Sequence, residues 1–309
     1  MRYFAVLFLG LALQASAQDP IITNTQQSLV ALNPSFAGSN GLLRYQSNMR
    51  SQWYNLSGSY LTFYNSIDAY IKPLKGGIAL AYTRDDQARG TLVTNRIDLS
   101  YAQHISLLNQ KLKIIPSIQV SVFQKTLDNT KLIFGDQIDA RRGYIWSPYP
   151  LPAKQTKSNI DISAGLIMNY NHFYFGSTVY HITQPDEGVQ GPSKLPIRSS
   201  SFISYNFSIG ENVLLNALVR NELQNRYYNM QFSLNALFFK HLIVNAGYRD
   251  NNTINTFIGF RHHYFTISGG YEFGLNNTSP NNAGSYEIAA SFNLRNKDDR
   301  KLVKDFERW

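Results

Sequence analysis

Apolar and polar residues alternate singly through much of this chain, and after residue 17 no stretch reaches the run of about twenty apolar residues that a membrane helix requires. Near the C-terminus Tyr286, Ile288, Ala290, Phe292 and Leu294 fall on one face of an extended strand, with Glu287, Ala289, Ser291, Asn293 and Arg295 on the other. Upstream, Phe265, Ile267, Gly269, Tyr271 and Phe273 oppose Thr266, Ser268, Gly270 and Glu272, and Ile160, Ile162, Ala164, Leu166 and Met168 oppose Asn159, Asp161, Ser163 and Gly165. One face wants an apolar medium and the other wants water. A soluble sandwich would have to cover each apolar face with a second sheet. A chain of this pattern crosses a membrane as strands or not at all.

Composition agrees. Aromatic residues make up 14% of the chain and charged residues only 16%, with a mean hydropathy of -0.27. A membrane barrel uses such a mixture, with apolar side chains on lipid, polar ones in the lumen and aromatic girdles at both interfaces. The net charge of +9 is spread along the chain, so it is weak support for a polyanion partner, and no nucleic acid is expected.

Residues 1–17 carry the marks of a cleavable secretion signal: Arg2, then an apolar stretch from Tyr3 to Leu13, then Ala15-Ser16-Ala17 before Gln18. No cysteine stands at that site, which excludes a lipoprotein anchor, and Cys 0 overall removes disulfides, thiolate metal sites and thiol nucleophiles.

About fourteen segments of about ten residues run from Gly41 to Arg295, the length of a tilted membrane strand, predicting an all-β, antiparallel, up-and-down transmembrane barrel. An even count places both termini in the periplasm. The connections on that side, around Pro73, Asn109, Asn171, Glu211, Lys240 and His262, are all short, whereas residues 126–158, 183–196 and 274–284 form long connections opposite. Short periplasmic turns and longer outer loops are the bacterial rule. The predicted divisions are a signal over 1–17, an N-terminal periplasmic segment over 18–40, the barrel over 41–295 and a mixed-charge periplasmic tail over 296–309.

No phosphate-cradling loop, dinucleotide fingerprint, His-Glu-x-x-His or Gly-x-Ser-x-Gly elbow is present. Adjacent His262 and His263 would point to opposite faces of a strand and serve poorly as joint ligands. Asp85-Asp86 reads as a solvated outer turn with local ion pairs in preference to a calcium site, which wants six or more oxygens. Neither an enzyme nor a cofactor or metal site is expected.

Four blocks carry a resemblance: Leu32-Asn33-Pro34-Ser35-Phe36-Ala37-Gly38, Arg50-Ser51-Gln52-Trp53, Leu132-Ile133-Phe134-Gly135-Asp136-Gln137-Ile138-Asp139, and His181-Ile182-Thr183-Gln184-Pro185. Together and in this order they resemble the PorP/SprF family of type IX secretion system membrane proteins of Bacteroidota. The resemblance implies an outer-membrane barrel that works with an apparatus exporting large proteins through a C-terminal domain, without being the translocation pore. It further implies partners among secreted cargo, including gliding adhesins, and among periplasmic and outer-membrane secretion components.

The block residues also have physical readings. Asn33, Pro34 and Gly38 make a rigid turn, and Phe36 between them is expected to plug the barrel base or dock on a partner, the alternative being a turn that only guides the chain into the first strand. Arg50 and Trp53 fall at the first outward hairpin, where Trp marks the headgroup level, with cargo contact as the alternative. Phe134, Gly135, Asp136, Gln137 and Asp139 lie in the longest loop, and their polar groups are expected to reach Arg44 or Arg220 and hold that loop inside the lumen. His181, Gln184 and Pro185 end a strand and are expected to shape the outer rim or touch a secreted domain. The leading functional reading is a barrel that binds exported cargo and supports its secretion or surface attachment. Two others stay open: a channel for small or apolar molecules, and a lipid-modifying enzyme with Ser and His on its rim.

Overall fold

The computed structural model describes residues 19–41, 43–54, 56, 58–145, 152–250, 252–275 and 284–293. The predicted signal and C-terminal tail lie outside the described residues.

Fourteen antiparallel strands close into a barrel: Arg44–Gln52, Tyr60–Ile71, Gly76–Gln87, Leu92–Gln103 continued by Ile105–Leu107, Leu112–Asp128, Lys154–Tyr170, Phe173–Tyr180, Arg198–Ile209, Val213–Gln224, Tyr227–Phe238, Leu242–Arg249, Thr253–Arg261, Phe265–Gly274 and Ser285–Asn293. The piece after His104 keeps the same partner, Leu112–Asp128, so the two pieces are one wall strand. Closure comes from the first strand, which pairs Arg44 with Asn293 on one side and Arg44 with Asp68 on the other.

The expected alternation is present and inverted relative to a soluble protein. In the last strand Ser285, Glu287, Ala289 and Ser291 are buried in the lumen while Ile288 and Phe292 are exposed on the outer face. Ile97 and Leu99 stand outside while Asp98 and Ser100 face in. All six predicted short turns lie at one end, which is the periplasmic end by the turn-length rule. At the other end the two longest strands, 17 residues each, run further than the sequence pattern suggested, and the loop between them shortens to residues 129–153. Their tips are polar because they stand past the apolar band: Thr126 meets Thr156 at 3.1 Å and Gln124 meets Ser158 at 3.4 Å.

The main departure concerns residues 18–40. The predicted periplasmic segment is instead folded into the lumen over its described part, as a plug of short turns: Thr25–Gln27, Leu29–Leu32 and Pro34–Phe36. Its apolar side chains Leu29, Val30, Leu32, Phe36 and Ala37 form one cluster with wall residues Ala79, Ala102, Ile115, Ile167, Tyr174, Phe202 and Leu218. Each of these wall residues breaks the polar pattern of the lumen face. The protein therefore has a small hydrophobic core inside a polar bore, and burial of a Phe such as Phe36 stabilises it by about 1.5–3 kcal/mol.

The plug backbone touches the wall closely. Gly38 has φ +68°, a left-handed conformation that glycine adopts without a Cβ penalty, and a Cβ on the facing Gly77 would lie 2.0 Å from the Ala37 carbonyl oxygen.

Candidate functional site

Three groups of polar contacts pin the plug along the bore. At the periplasmic end Arg44 grips Asp68 with two nitrogens at 2.8 and 3.0 Å and donates to the Phe36 carbonyl at 3.2 Å, while the Gly38 N–H donates to Asp68 at 2.8 Å. Within the plug, Asn33 caps the Pro34–Phe36 turn by accepting from the Ser35 N–H at 2.9 Å. Its amide donates outward to the carbonyls of Leu166 and Ser177 at 3.3 and 3.2 Å. Phe36 stacks on Phe202 with ring centroids 5.9 Å apart.

The middle group centres on Arg50. Its guanidinium reaches Glu272 at 2.9 Å, Glu287 at 3.3 Å and the Thr23 hydroxyl at 2.6 Å. Glu287 in turn accepts from the backbone N–H groups of Thr23 and Asn24 at 3.0 and 2.9 Å, and from Asn48 at 2.7 Å. Arg249 completes the cluster, 3.1 Å from Glu272 and 2.8 Å from Thr23. Buried charges persist only where paired and hydrogen-bonded, and here the plug backbone supplies part of that satisfaction.

The outermost group holds the start of the described plug. His181, fully buried, lies 2.7 Å from Asp161 through one ring nitrogen and 2.7 Å from Asp19 through the other. Carboxylates only accept, so the ring satisfies both when both nitrogens carry protons. Arg198 approaches Asp19 at 3.3 Å and lies over the Tyr180 ring at 4.2 Å. Arg220 donates to the Ile22 carbonyl at 3.2 Å.

These positions revise several sequence expectations. Arg50 is not an interface or cargo residue, because an odd-even count from Arg44 turns it into the lumen, where it is 2% exposed. Trp53 is partly exposed at the outer mouth and meets Tyr60 edge-on at 5.6 Å. His181 belongs to the plug contacts and is fully buried, whereas Gln184 and Pro185 lie in the connection after that strand: Gln184 turns at φ 44°, and the Pro185 carbonyl accepts from the Leu195 N–H. Among its described residues the long loop does not use Arg44 or Arg220, both of which are engaged by the plug and wall. It organises itself: Gln137 accepts from the Phe134 N–H at 2.9 Å after the Gly135–Gln137 turn, and Asp139 accepts from the N–H groups of Arg141 and Arg142 at 2.8 Å each. Those two donors hold the Asp139 carboxyl below its ordinary range. Asp136 falls in the same turn.

Sequence reasoning missed Asp19, Thr23, Asp68, Glu272 and Glu287 as site residues. The signal of Asp68, Glu272 and Glu287 was an acid on the polar face of a wall strand, whereas Asp19 and Thr23 lie in the segment that was expected in the periplasm.

The plug divides the bore into two vestibules. The outer one, about 640 Å³, has Ile21 and Ile22 among its lining and carries Trp53, Tyr60, Tyr64 and Tyr227 beside Arg198 and Arg220. The periplasmic one is about 830 Å³. Residues 182–197 fold beside the outer vestibule, where Asp186 meets Lys157 at 2.6 Å and accepts from the N–H groups of Ser193 and Gly188 at 2.7 and 3.1 Å. These contacts lower the Asp186 carboxyl to about 2, Lys157 contributing most. A depressed carboxylate stabilises the loop above the unfolded aspartate value, about 3.9, and loses that contribution as pH falls toward about 2. Pepsin cleavage within residues 182–197 should therefore rise through that window, and Asp186→Asn should remove the transition.

Among the described residues no group of three or more His, Cys, Asp or Glu is placed to hold a metal. Comparison with solved structures finds other outer-membrane barrels. The CymD monoaromatic hydrocarbon channel is 12% identical, with 87% of this chain and 93% of that chain covered and a TM-score of 0.52. Acinetobacter baumannii Omp33 is 8% identical over 83% of this chain and 100% of its own, with a TM-score of 0.47. The Pseudomonas putida toluene transporter TodX is 8% identical over 90% and 95%, also at 0.47. At such identities the likeness is one of fold alone. No curated protein matches in sequence. The family model described as type IX secretion system membrane protein PorP/SprF matches residues 14–292.

Proposed function

Because the chain belongs to the PorP/SprF family of type IX secretion system membrane proteins, we propose that it is a closed outer-membrane platform that binds exported cargo and supports its secretion or surface attachment, without turnover. The observation that carries this reading is the pinned plug. A diffusion channel has to keep a path, and the Arg50, Arg44 and His181 groups hold chain across the bore instead. A platform needs a fixed surface, and the outer vestibule with residues 129–145 and 182–197 supports that reading. Aromatic side chains beside arginines suit a polypeptide partner, since those residue types dominate binding hot spots. The cargo class is secreted protein carrying a type IX C-terminal domain, such as a surface adhesin.

The test is an exchange of residues 129–153 and 182–197 for the corresponding loops of a paralogue, followed by comparison of surface, supernatant and periplasmic proteins. Retention should switch to the paralogue's cargo. Cargo that is retained regardless of the loops would sink the platform reading, and substantial single-channel conductance of the intact protein would favour a channel.

A further inference from the structure

Among the described residues, the turns at the periplasmic end of the barrel are basic. Five of the six histidines in the chain, His104, His172, His241, His262 and His263, lie on or beside its turns. They are joined there by Lys72, Lys75, Lys111, Lys113, Lys240 and Arg261, and among the described residues Glu211 is the one acid on these turns. The outer loops, in contrast, mix both signs, with Lys157 meeting Asp186 and Lys125 meeting Glu187.

The charge is not only on the perimeter. Lys240, His241, Arg261, His262 and His263 line the periplasmic vestibule of about 830 Å³. They come from two neighbouring turns that clasp each other: the Arg261 N–H donates to the His241 carbonyl at 2.6 Å, and His241 Nδ1 contacts the Arg261 carbonyl at 3.0 Å. One backbone hydrogen bond and one ring contact thus tie the two turns together, and Glu211 lines the same vestibule. Leu29 and Phe36 of the plug and Gln26 and Gln27 lie deeper in the same vestibule.

We propose that this vestibule is a docking cup for an acidic loop or chain end of a periplasmic protein. The inference rests on the reading of the barrel as a member of the secretion machine, and it gives the face and chemistry by which the barrel would join that machine. The His241 and His262 rings pack on Phe260 and Phe265 of the outer face, whereas Lys240 and Arg261 line the concave mouth. A protein segment fits better than lipid, because a protruding chain can enter that mouth, while phospholipid headgroups surround only the outside of the wall. Opposite charge across such a mouth steers association and sets specificity.

The test uses the full chain in phosphatidylcholine nanodiscs, with an oligoglutamate peptide as probe. Binding should weaken as salt rises. It should fall about tenfold or more in Lys240→Glu with Arg261→Glu, and stay near wild type in Lys72→Glu with Lys75→Glu, which lie on the rim outside the cup. SDS-resistant migration checks that each variant is folded. In cells, a photo-crosslinker at position 263 should join a periplasmic protein through an acidic segment, the cup variant should lose that adduct, and changing the captured acids to lysine should restore it. Equal oligoglutamate binding by the wild type and the cup variant, equal losses in both variants, or adducts to lipid or glycan alone would each overturn the cup. A deletion strain with an unchanged cargo profile would instead overturn the platform function, and the nanodisc result would still decide the docking chemistry.

Discussion

Replacing Arg50 by alanine should unseat the plug and turn a closed barrel into a conducting one. The guanidinium ties Glu272 and Glu287 of two wall strands to Thr23 of the plug, and all of these groups are buried. Removing one partner of a buried ion pair costs about 3–5 kcal/mol, because the remaining charge keeps its desolvation penalty. At about 1.4 kcal/mol per tenfold, the equilibrium constant for plug seating should fall by roughly two to four decades. Arg50→Lys should rescue only part of this, since a single ammonium lacks the fork that reaches two carboxylates and a hydroxyl at once. Single-channel recording and the temperature of the SDS-induced mobility shift read the two effects. An Arg50→Ala barrel as closed and heat-resistant as the wild type would show that the plug does not depend on this cluster.

The wall was legible because a membrane strand repeats one physical rule many times. Ile288 and Glu287 must face different media, and any slip by one residue exchanges them. The turns followed from the same rule, so the short connections at Asn109, Asn171 and His262 came out at one end. The plug was not legible, for it has no period: Leu29–Leu32 is a single helical turn, and the adjoining 3-10 turns are shorter still. Its trace was indirect. Ile115, Ile167, Phe202 and Leu218 are apolar where a water-filled lumen asks for polar residues, and an apolar inward face implies something apolar packed against it.

The family blocks were recognised as blocks, but most of their roles came from the plug rather than the outer surface. Asn33 and Phe36 belong to residues 19–38, and Arg50 and the distant His181 hold that segment. The long loop was expected to enter the bore and bind Arg44 or Arg220; instead the N-terminal segment took both partners. Either route puts chain inside the bore. The occupant of the bore required coordinates, because arginines on a lumen face do not say which segment will meet them.

Phe36→Ala is the second large effect, and it separates packing from ion pairing. Phe36 is 1% exposed and packs within the apolar cluster against Phe202. Truncation of a buried Phe costs about 3–5 kcal/mol, from lost transfer energy and the cavity left behind. The Arg50 and His181 contacts lie nearer the outer mouth and remain, so the loss should appear first in the periplasmic half of the plug. The absence of native cysteine makes this measurable. A thiol placed at Ser35, which is fully buried beside Ser117 at 2.8 Å, should resist a maleimide applied from the periplasmic side and become reactive when Phe36 is alanine. Phe36→Leu keeps most of the apolar volume and should expose the thiol less. If position 35 stays protected in Phe36→Ala, the ion clusters alone seat the plug, and the core within the bore is passive filling.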